Sequence, residues 1–360
     1  MSGLKTLRTR MNSIIQTEKI TSAMKMISVP KLRKAHAALS DAYAYADESN
    51  RIVRRLVRSV IGRQEQIKEQ NLPETVKLPL LLTGHKNGKK HLVVVATSDE
   101  GLCGQFNQSI IAKTELVLNQ IKANDEKPFI LCFGYKGGEI LKKKNPDIPV
   151  HLMSGRLNEK KDAFDEARKL ATLLIDSFYS GIFDICTVVY SRFQSAAVQK
   201  IQIEQLIPVT LFHHQNKWQF LIDMENPLYA ERSSAWKSKI KTPGGALFSA
   251  IGGKNITSPL LEIDSKNLLE ESTRPADSYD YAPQDTDLLE DFLPSYMSAY
   301  VYKILLETTA SENASRMMAM ENASNSATEM LQNLNKLYHR KRQEKITTDI
   351  IEEISGGLIT

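Results

Sequence analysis

The chain has 360 residues, 42% hydrophobic and 25% charged, with a formal net charge of +5. This composition excludes a disordered tail, and no stretch nears the roughly 18 consecutive apolar residues of a membrane helix. The length suits one large domain or two ordinary ones.

Apolar periodicity begins at once, and no apolar core follows the first basic residues, so this end is read as mature, without an export signal. Leu4, Leu7, Met11 and Ile14 recur at steps of three and four. The same phase returns at Leu32, Ala35, Leu39, Ala42, Ala46, Val53, Leu56 and Val60, which predicts one coiled-coil seam over 4–60. In between, the seam positions Glu18, Thr21, Lys25 and Ser28 are polar, while Ile20, Met24 and Ile27 are apolar. The helix is therefore expected to continue with its apolar face rotated. Pro30 removes a backbone donor and is expected to kink it near residues 26–30. Residues 1–63 carry thirteen Lys and Arg against four acids, a surplus of nine, so the rest of the chain sums to −4. Such a basic helix could serve nucleic acid, a membrane surface or an acidic protein, or be a solvated face.

The middle of the chain alternates strand and helix. Strands are predicted at 91–97, 129–133, 150–153 and 185–190, with helices at 109–122, 136–144 and 162–179, which is the pattern of a mostly parallel sheet with packed helices. Residues 198–207 and 217–224 are expected to add edge strands. Segments 62–90 and 225–286 break the periodicity and read as connections.

A second long stripe closes the chain. Leu289, Leu293, Tyr296 and Tyr300 begin it, Ala310, Ala314, Met317, Ala327, Leu331, Leu334 and Tyr338 continue it, and Ile346, Ile350 and Ile354 end it before Gly356 and Gly357, which are expected to stop the helix. A helix over 287–354 would be roughly 100 Å long and cannot bury itself on a compact domain, so it needs the other long helix as an antiparallel partner. The predicted fold is α/β: a long antiparallel coiled coil of the terminal helices with a small α/β, Rossmann-like head. The predicted divisions are an N-terminal coiled-coil helix at 1–62, the head at 88–224, an insertion and foot segment at 225–286, and the C-terminal coiled-coil helix at 287–356.

Chemistry-bearing motifs are few. The three cysteines, Cys103, Cys132 and Cys186, are widely spaced with no CxxC or zinc pattern, which predicts free thiols in a reducing compartment. After the first head strand comes Thr97-Ser-Asp-Glu-Gly-Leu-Cys-Gly-Gln-Phe-Asn107. A glycine turn there is where many α/β proteins hold phosphate, and Cys103 could be a nucleophile. No histidine lies near it in sequence, however. The simpler reading is that Gly101 and Gly104 permit a tight turn and Asp99 or Asn107 caps the next helix. No GxxxxGK[ST] phosphate loop exists in the chain. Met24, Met26, Met317, Met318 and Met320 read first as packing residues.

Three segments in order carry a resemblance. They are Glu18-Lys-Ile-Thr-Ser-Ala-Met-Lys-Met-Ile27 followed by Lys31-Leu-Arg-Lys-Ala35, the glycine turn just quoted, and Ser311-Glu-Asn-Ala-Ser-Arg-Met-Met-Ala-Met-Glu-Asn-Ala323 continued by residues 338–357. Together they resemble the gamma subunits, or central shafts, of F-type ATP synthases of the bacterial type, over both termini and the head but not about 225–278. The resemblance implies a non-catalytic rotor without cofactor or metal. It would couple ion flow through a membrane ring to ATP synthesis in a catalytic hexamer. The implied partners are the alpha and beta ring subunits, the epsilon subunit and the membrane rotor ring, with no nucleic acid and no membrane span. The implied place is peripheral, at the cytoplasmic face of the bacterial inner membrane. Coupling contacts to the catalytic ring are implied at Lys19, Met24, Lys25, Arg316, Arg342, Gln343, Thr347 and Asp349, the last standing where Glu is often found. A foot near the membrane ring is implied at Tyr279, Tyr281 and Pro283, with Ala282 replacing a carboxylate that many relatives carry. Met24 and the 343–349 stretch are expected to come close together in the antiparallel pair. The competing readings are an α/β enzyme with a glycine-turn site and a basic coiled-coil scaffold.

Overall fold

The computed structural model describes residues 2–69, 78–85, 88–154, 163–209 and 285–357. The expected edge strand at 217–224, the 225–278 insertion and the foot residues Tyr279, Tyr281 and Pro283 lie outside the described residues.

Two helices dominate. Helix α1 spans Ser2–Glu69 and the last helix, α6, spans Asp285–Gly357. At 1.5 Å per residue they are each roughly 100 Å long. Between them lie α2 (Leu80–Thr83), β1 (Lys90–Ala96), α3 (Phe106–Ala123), β2 (Lys127–Phe133), α4 (Tyr135–Lys144), β3 (Val150–Met153), α5 (Ala163–Tyr179), β4 (Ile185–Phe193) and β5 (Gln199–Ile207). α1 stays helical through Pro30, which costs a hydrogen bond and not the helix. Two local expectations are revised. α1 also runs on to Glu69, and a short turn of helix fills part of the expected 62–90 connection. α6 includes Gly356 and Gly357, because glycine lowers helix propensity by only about 1 kcal/mol.

The sheet order is β3-β2-β1-β4-β5, parallel except for the antiparallel β4–β5 pair. Alternation along each strand sends side chains to two layers. Val93 and Val95 of β1, with Ile130, Cys132, Val189 and Ile203, pack under α3 and α4. Val94 and Ala96, with Leu131, Phe133, Val188, Tyr190 and Leu206, face α5 and the coil. There, Val53, Leu56, Val57 and Val60 of α1 and Leu289, Leu293, Tyr296, Met297, Val301 and Ile304 of α6 complete one apolar core. The head thus grips one end of the coil by burying its seam, the non-directional force that assembles the layers.

The seam keeps a single register along α1. Ala35, Leu39, Ala42, Ala46, Val53, Leu56 and Val60 are buried as expected, and so are the polar seam residues Thr21 and Ser28. The expected rotation of the apolar face over 18–28 does not occur: Ile20 and Ile27 point outward, 60% and 59% exposed, and Met24 is half-buried. Polar residues can occupy the seam because their groups find partners there. Thr21 Oγ1 donates to Thr17 O at 3.1 Å, Ser28 Oγ donates to Met24 O at 2.9 Å, and Lys25 pairs across the coil with Glu321.

Candidate functional site

The glycine turn after β1 is filled by the protein itself. Asn107 reaches back from the first turn of α3, accepting the Ser98 N–H at 3.0 Å and donating to Ser98 Oγ at 2.7 Å. Asp99 accepts the backbone N–H of Tyr135 at 3.0 Å and the hydroxyl of Ser154 at 3.0 Å. Asp99 therefore caps α4 and not the expected next helix, α3, whose N-terminus has no side-chain cap. The N–H groups at a helix start, which in other α/β proteins meet phosphate, here meet a carboxylate of the same chain. Leu102 and Gly104 both take positive φ (64° and 59°), and a methyl group on Gly104 would sit 3.5 Å from Ala319 of α6.

Arg316 closes the turn from the other side. Its guanidinium donates to Gly101 O at 3.3 Å, to Glu100 O at 3.4 Å and to Glu312 Oε1 at 2.6 Å. Burial raises the Glu312 carboxyl above the usual carboxylate range, with Arg316 acting in the opposite direction. Cys103 is buried, with its Sγ beside Ser98 Oγ and Asn107 Nδ2, and no histidine joins this group. The other two thiols are inert by burial: that of Cys132 is pushed up to about 11, and that of Cys186 higher still. Among the described residues no cluster of His, Cys, Asp and Glu could hold a metal ion. The turn is a joint between head and coil, its polar groups engaged with one another and with Arg316 of α6.

The other residues of interest lie on the coil, and cross-coil contacts fix their positions. Lys25 Nζ is 2.7 Å from Glu321 Oε1, Lys303 Nζ lies over the Tyr43 ring, and a methyl group on Gly3 would be 3.9 Å from Lys341 Nζ. The numbers in these pairs add to 346, 346 and 344, so Met24 lies across from about residue 322 and Gln343 from about residue 2. Met24 and Gln343 are thus some 20 residues apart along the coil, about 30 Å at 1.5 Å per residue. The expectation that they meet is overturned, because the antiparallel register aligns Met24 with the start of the free coil and Gln343 with its tip.

Two groups result. Lys19 (exposed), Met24 and Lys25 (half-buried) and Arg316 (buried) lie where the coil leaves the head. Arg342, Gln343, Thr347 and Asp349 are exposed at the far tip, where Thr347 Oγ1 donates to Gln343 O. Around both groups the coil shows apolar surface at residues expected to pack. Ile20, Met26 and Ile27 are 60%, 74% and 59% exposed, and Ile346, Ile350 and Ile354 are 47%, 49% and 61% exposed. The last three were expected to finish the stripe against α1. They lie on the stretch of α6 beyond Lys341, which passes Gly3 and has no described helix across from it. Exposed isoleucines recurring along a bare coil mark a surface made for a partner. No described helix is long and apolar enough to cross a membrane.

Known proteins share this sequence and shape. A family model described as ATP synthase matches residues 3–358. The ATP synthase gamma chain of Rhodospirillum rubrum is 31% identical over 359 residues, and that of Paracoccus denitrificans is 32% identical over 358, each covering 99% of both chains. Among solved structures, the Euglena gracilis mitochondrial ATP synthase in its OSCP/F1/c-ring form has a chain with a TM-score of 0.54 at 18% identity. That match covers 99% of this chain and 93% of that one. The rotor of the same Euglena gracilis assembly matches with a TM-score of 0.51 at 17% identity, covering 95% and 98%. At these identities the two structures speak to the fold alone.

Proposed function

The chain belongs to the ATP synthase gamma family, and from that premise we propose that it is the central rotor shaft of a proton-translocating ATP synthase. It is a non-catalytic subunit. The observation that carries the reading is the bare end of the coil, where Ile346, Ile350 and Ile354 stand exposed on a stretch of α6 with no described helix across from it and need an apolar sleeve. The sleeve we assign is the ring of alpha and beta subunits, with the epsilon subunit and the membrane rotor ring at the other end. We place the assembly at the cytoplasmic face of the bacterial inner membrane, with Tyr279, Tyr281 and Pro283 in the foot near the membrane ring.

Physically, one asymmetric rod inside a ring of equivalent subunits meets each with a different face. It therefore biases each toward a different conformation by differential contact energy. Turning the rod hands each bias to the next subunit, so torque from ion flow becomes release of bound ATP. The register supports dividing the contacts we assign into two belts. One is Lys19, Met24 and Lys25 at the collar, with Arg316 bracing the head turn behind them; the other is Arg342, Gln343, Thr347 and Asp349 at the tip. The self-filled glycine turn supports a role without chemistry of its own.

The test is affinity capture of the tagged chain from its native membranes. Alpha, beta and epsilon subunits should co-purify in fixed proportion, and the chain alone should not hydrolyse ATP. Turnover by the purified chain that is lost in Cys103→Ala would overturn this reading in favour of an enzyme.

A further inference from the structure

The apolar core that holds the coil in the head is non-directional, and by itself it would let the coil turn or slide against the sheet. A polar stripe on α6 crosses the same joint. Tyr300, Glu307, Ser311 and Ser315 are spaced by seven, four and four residues and so share a helix face. Each meets a group on another element. The Tyr300 hydroxyl donates to Glu204 of β5, which also accepts from Tyr190 of β4 at 3.1 Å. The Tyr43 hydroxyl of α1 donates to Glu307. Ser311 Oγ donates to Ser191 O of β4 at 3.0 Å, and Ser315 Oγ to Gln199 Oε1 of β5 at 3.1 Å. Lys303 lies between two rings, its Nζ 5.2 Å from the Tyr43 centroid and 5.0 Å from that of Tyr300, while Arg192 adds positive charge beside Tyr43 and Glu307. Glu307, Ser311 and Ser191 are wholly buried.

A fully buried carboxylate such as Glu307 is exacting, and Glu204 beside it is half-buried. Rotating α6 by one residue, about 100°, would carry Glu307 away from Tyr43 and take Tyr300 from Glu204, leaving both carboxylates without these donors. The setting seen here gives each of the four side chains a partner on another element, and the contacts span α1, α6, β4 and β5.

We infer that Glu204 and Glu307, held by Tyr43, Tyr190 and Tyr300 with Lys303 and Arg192, form a key that fixes the angle of the head on the coil. Both carboxylates are thereby positioning residues for torque passing between the head and the coil tip. This rests on the shaft reading, in which any slip at this joint would lose torque.

The test is the Tyr43→Phe/Tyr300→Phe chain, which removes two hydroxyls and keeps the apolar area. In the full chain, spin labels at Lys142→Cys on α4 and Arg10→Cys on α1 report the head-to-coil distance distribution. In the assembled complex, ATP hydrolysis and ATP-driven proton pumping are measured together. The expected result is a broadened distribution and a loss of protons pumped per ATP, with hydrolysis retained. A narrow, unshifted distribution with unchanged pumping per ATP overturns the key. Should the double variant not fold, Glu204→Gln, which keeps the side-chain volume and one acceptor oxygen, is read by the same two measurements. Failure of the unaltered chain to capture catalytic subunits would instead overturn the shaft reading, which separates the two results.

Discussion

Lys25 on α1 and Glu321 on α6, 296 residues apart in sequence, meet across the coil at 2.7 Å. The pair occupies a seam position that apolar residues hold elsewhere, and it marks the place where the coil leaves the head. Both side chains keep more than a third of their surface in water, 38% and 39%. Their worth to stability is therefore small, about 0.2–1 kcal/mol as a coupling energy. A double-mutant cycle of Lys25→Ala and Glu321→Ala, followed by denaturant unfolding, should return a coupling in that range that shrinks with added salt. A coupling of several kcal/mol would mean that this pair, and not the apolar seam, holds the register.

Met24 lies beside this pair, half-buried, on the collar. Met24→Lys adds a second ammonium next to Lys25 and competes for Glu321, at a cost of roughly 1–3 kcal/mol once a partner subunit desolvates it. Reconstituted complexes should hydrolyse ATP but pump fewer protons per ATP. Because Gln343 is about 30 Å away along the coil, compensating changes should arise near Glu321 and not at Thr347 or Asp349. A direct rescue from Asp349 would contradict the register.

In the head, His91 Nδ1 lies 3.0 Å from Glu126 Oε2 and His91 Nε2 lies 2.8 Å from Thr187 Oγ1, with the His91 and Glu126 side chains almost fully buried. Removing one member strands the other away from water. His91→Ala or Glu126→Ala should each cost about 1–3 kcal/mol from the buried polar partner left unsatisfied, whereas the double variant should cost less than the sum of the two. Thermal unfolding measures all three.

The Glu307 carboxyl is raised above its ordinary value of 4.5, first by burial and then by Glu204, against the lowering influence of Tyr43, Lys303 and Arg192. A carboxyl raised in the folded state binds its proton more tightly there than in the unfolded chain. Its contribution to stability is thus full below pH 4.5 and is lost as pH rises through the folded value. Glu307→Gln cannot titrate. Its stability relative to the native chain should improve as pH rises across that window, and unfolding free energies at a series of pH values would show it. A difference that does not vary with pH would mean that Glu307 titrates alike in both states.

Much of the architecture was legible in the residues themselves because its signals are local. The β-branched run of β1, the 3.6-residue period of α5 and the bounds of β3 at Val150–Met153 each lie within a dozen or so residues, where pattern and propensity agree. The two long helices were legible for the same reason, and so was the need of each for the other. Other features depend on which distant residue arrives opposite which. Ile20 and Ile27 looked like seam residues by hydrophobicity. They face outward because Thr21, Lys25 and Ser28 find partners in the seam, one of them nearly 300 residues away. Asp99 or Asn107 was expected to cap α3, yet the parallel pairing of β1 and β2 brings the start of α4 to Asp99 instead. Arg316 and the Glu204–Tyr300 contact likewise have no local signature. The sequence alone determined which segments are helix, strand and coil, since those choices are settled within a few turns of chain. The tertiary structure alone decided register, outward face and polar partners, since those are settled by the directional demands of buried groups far apart in the chain.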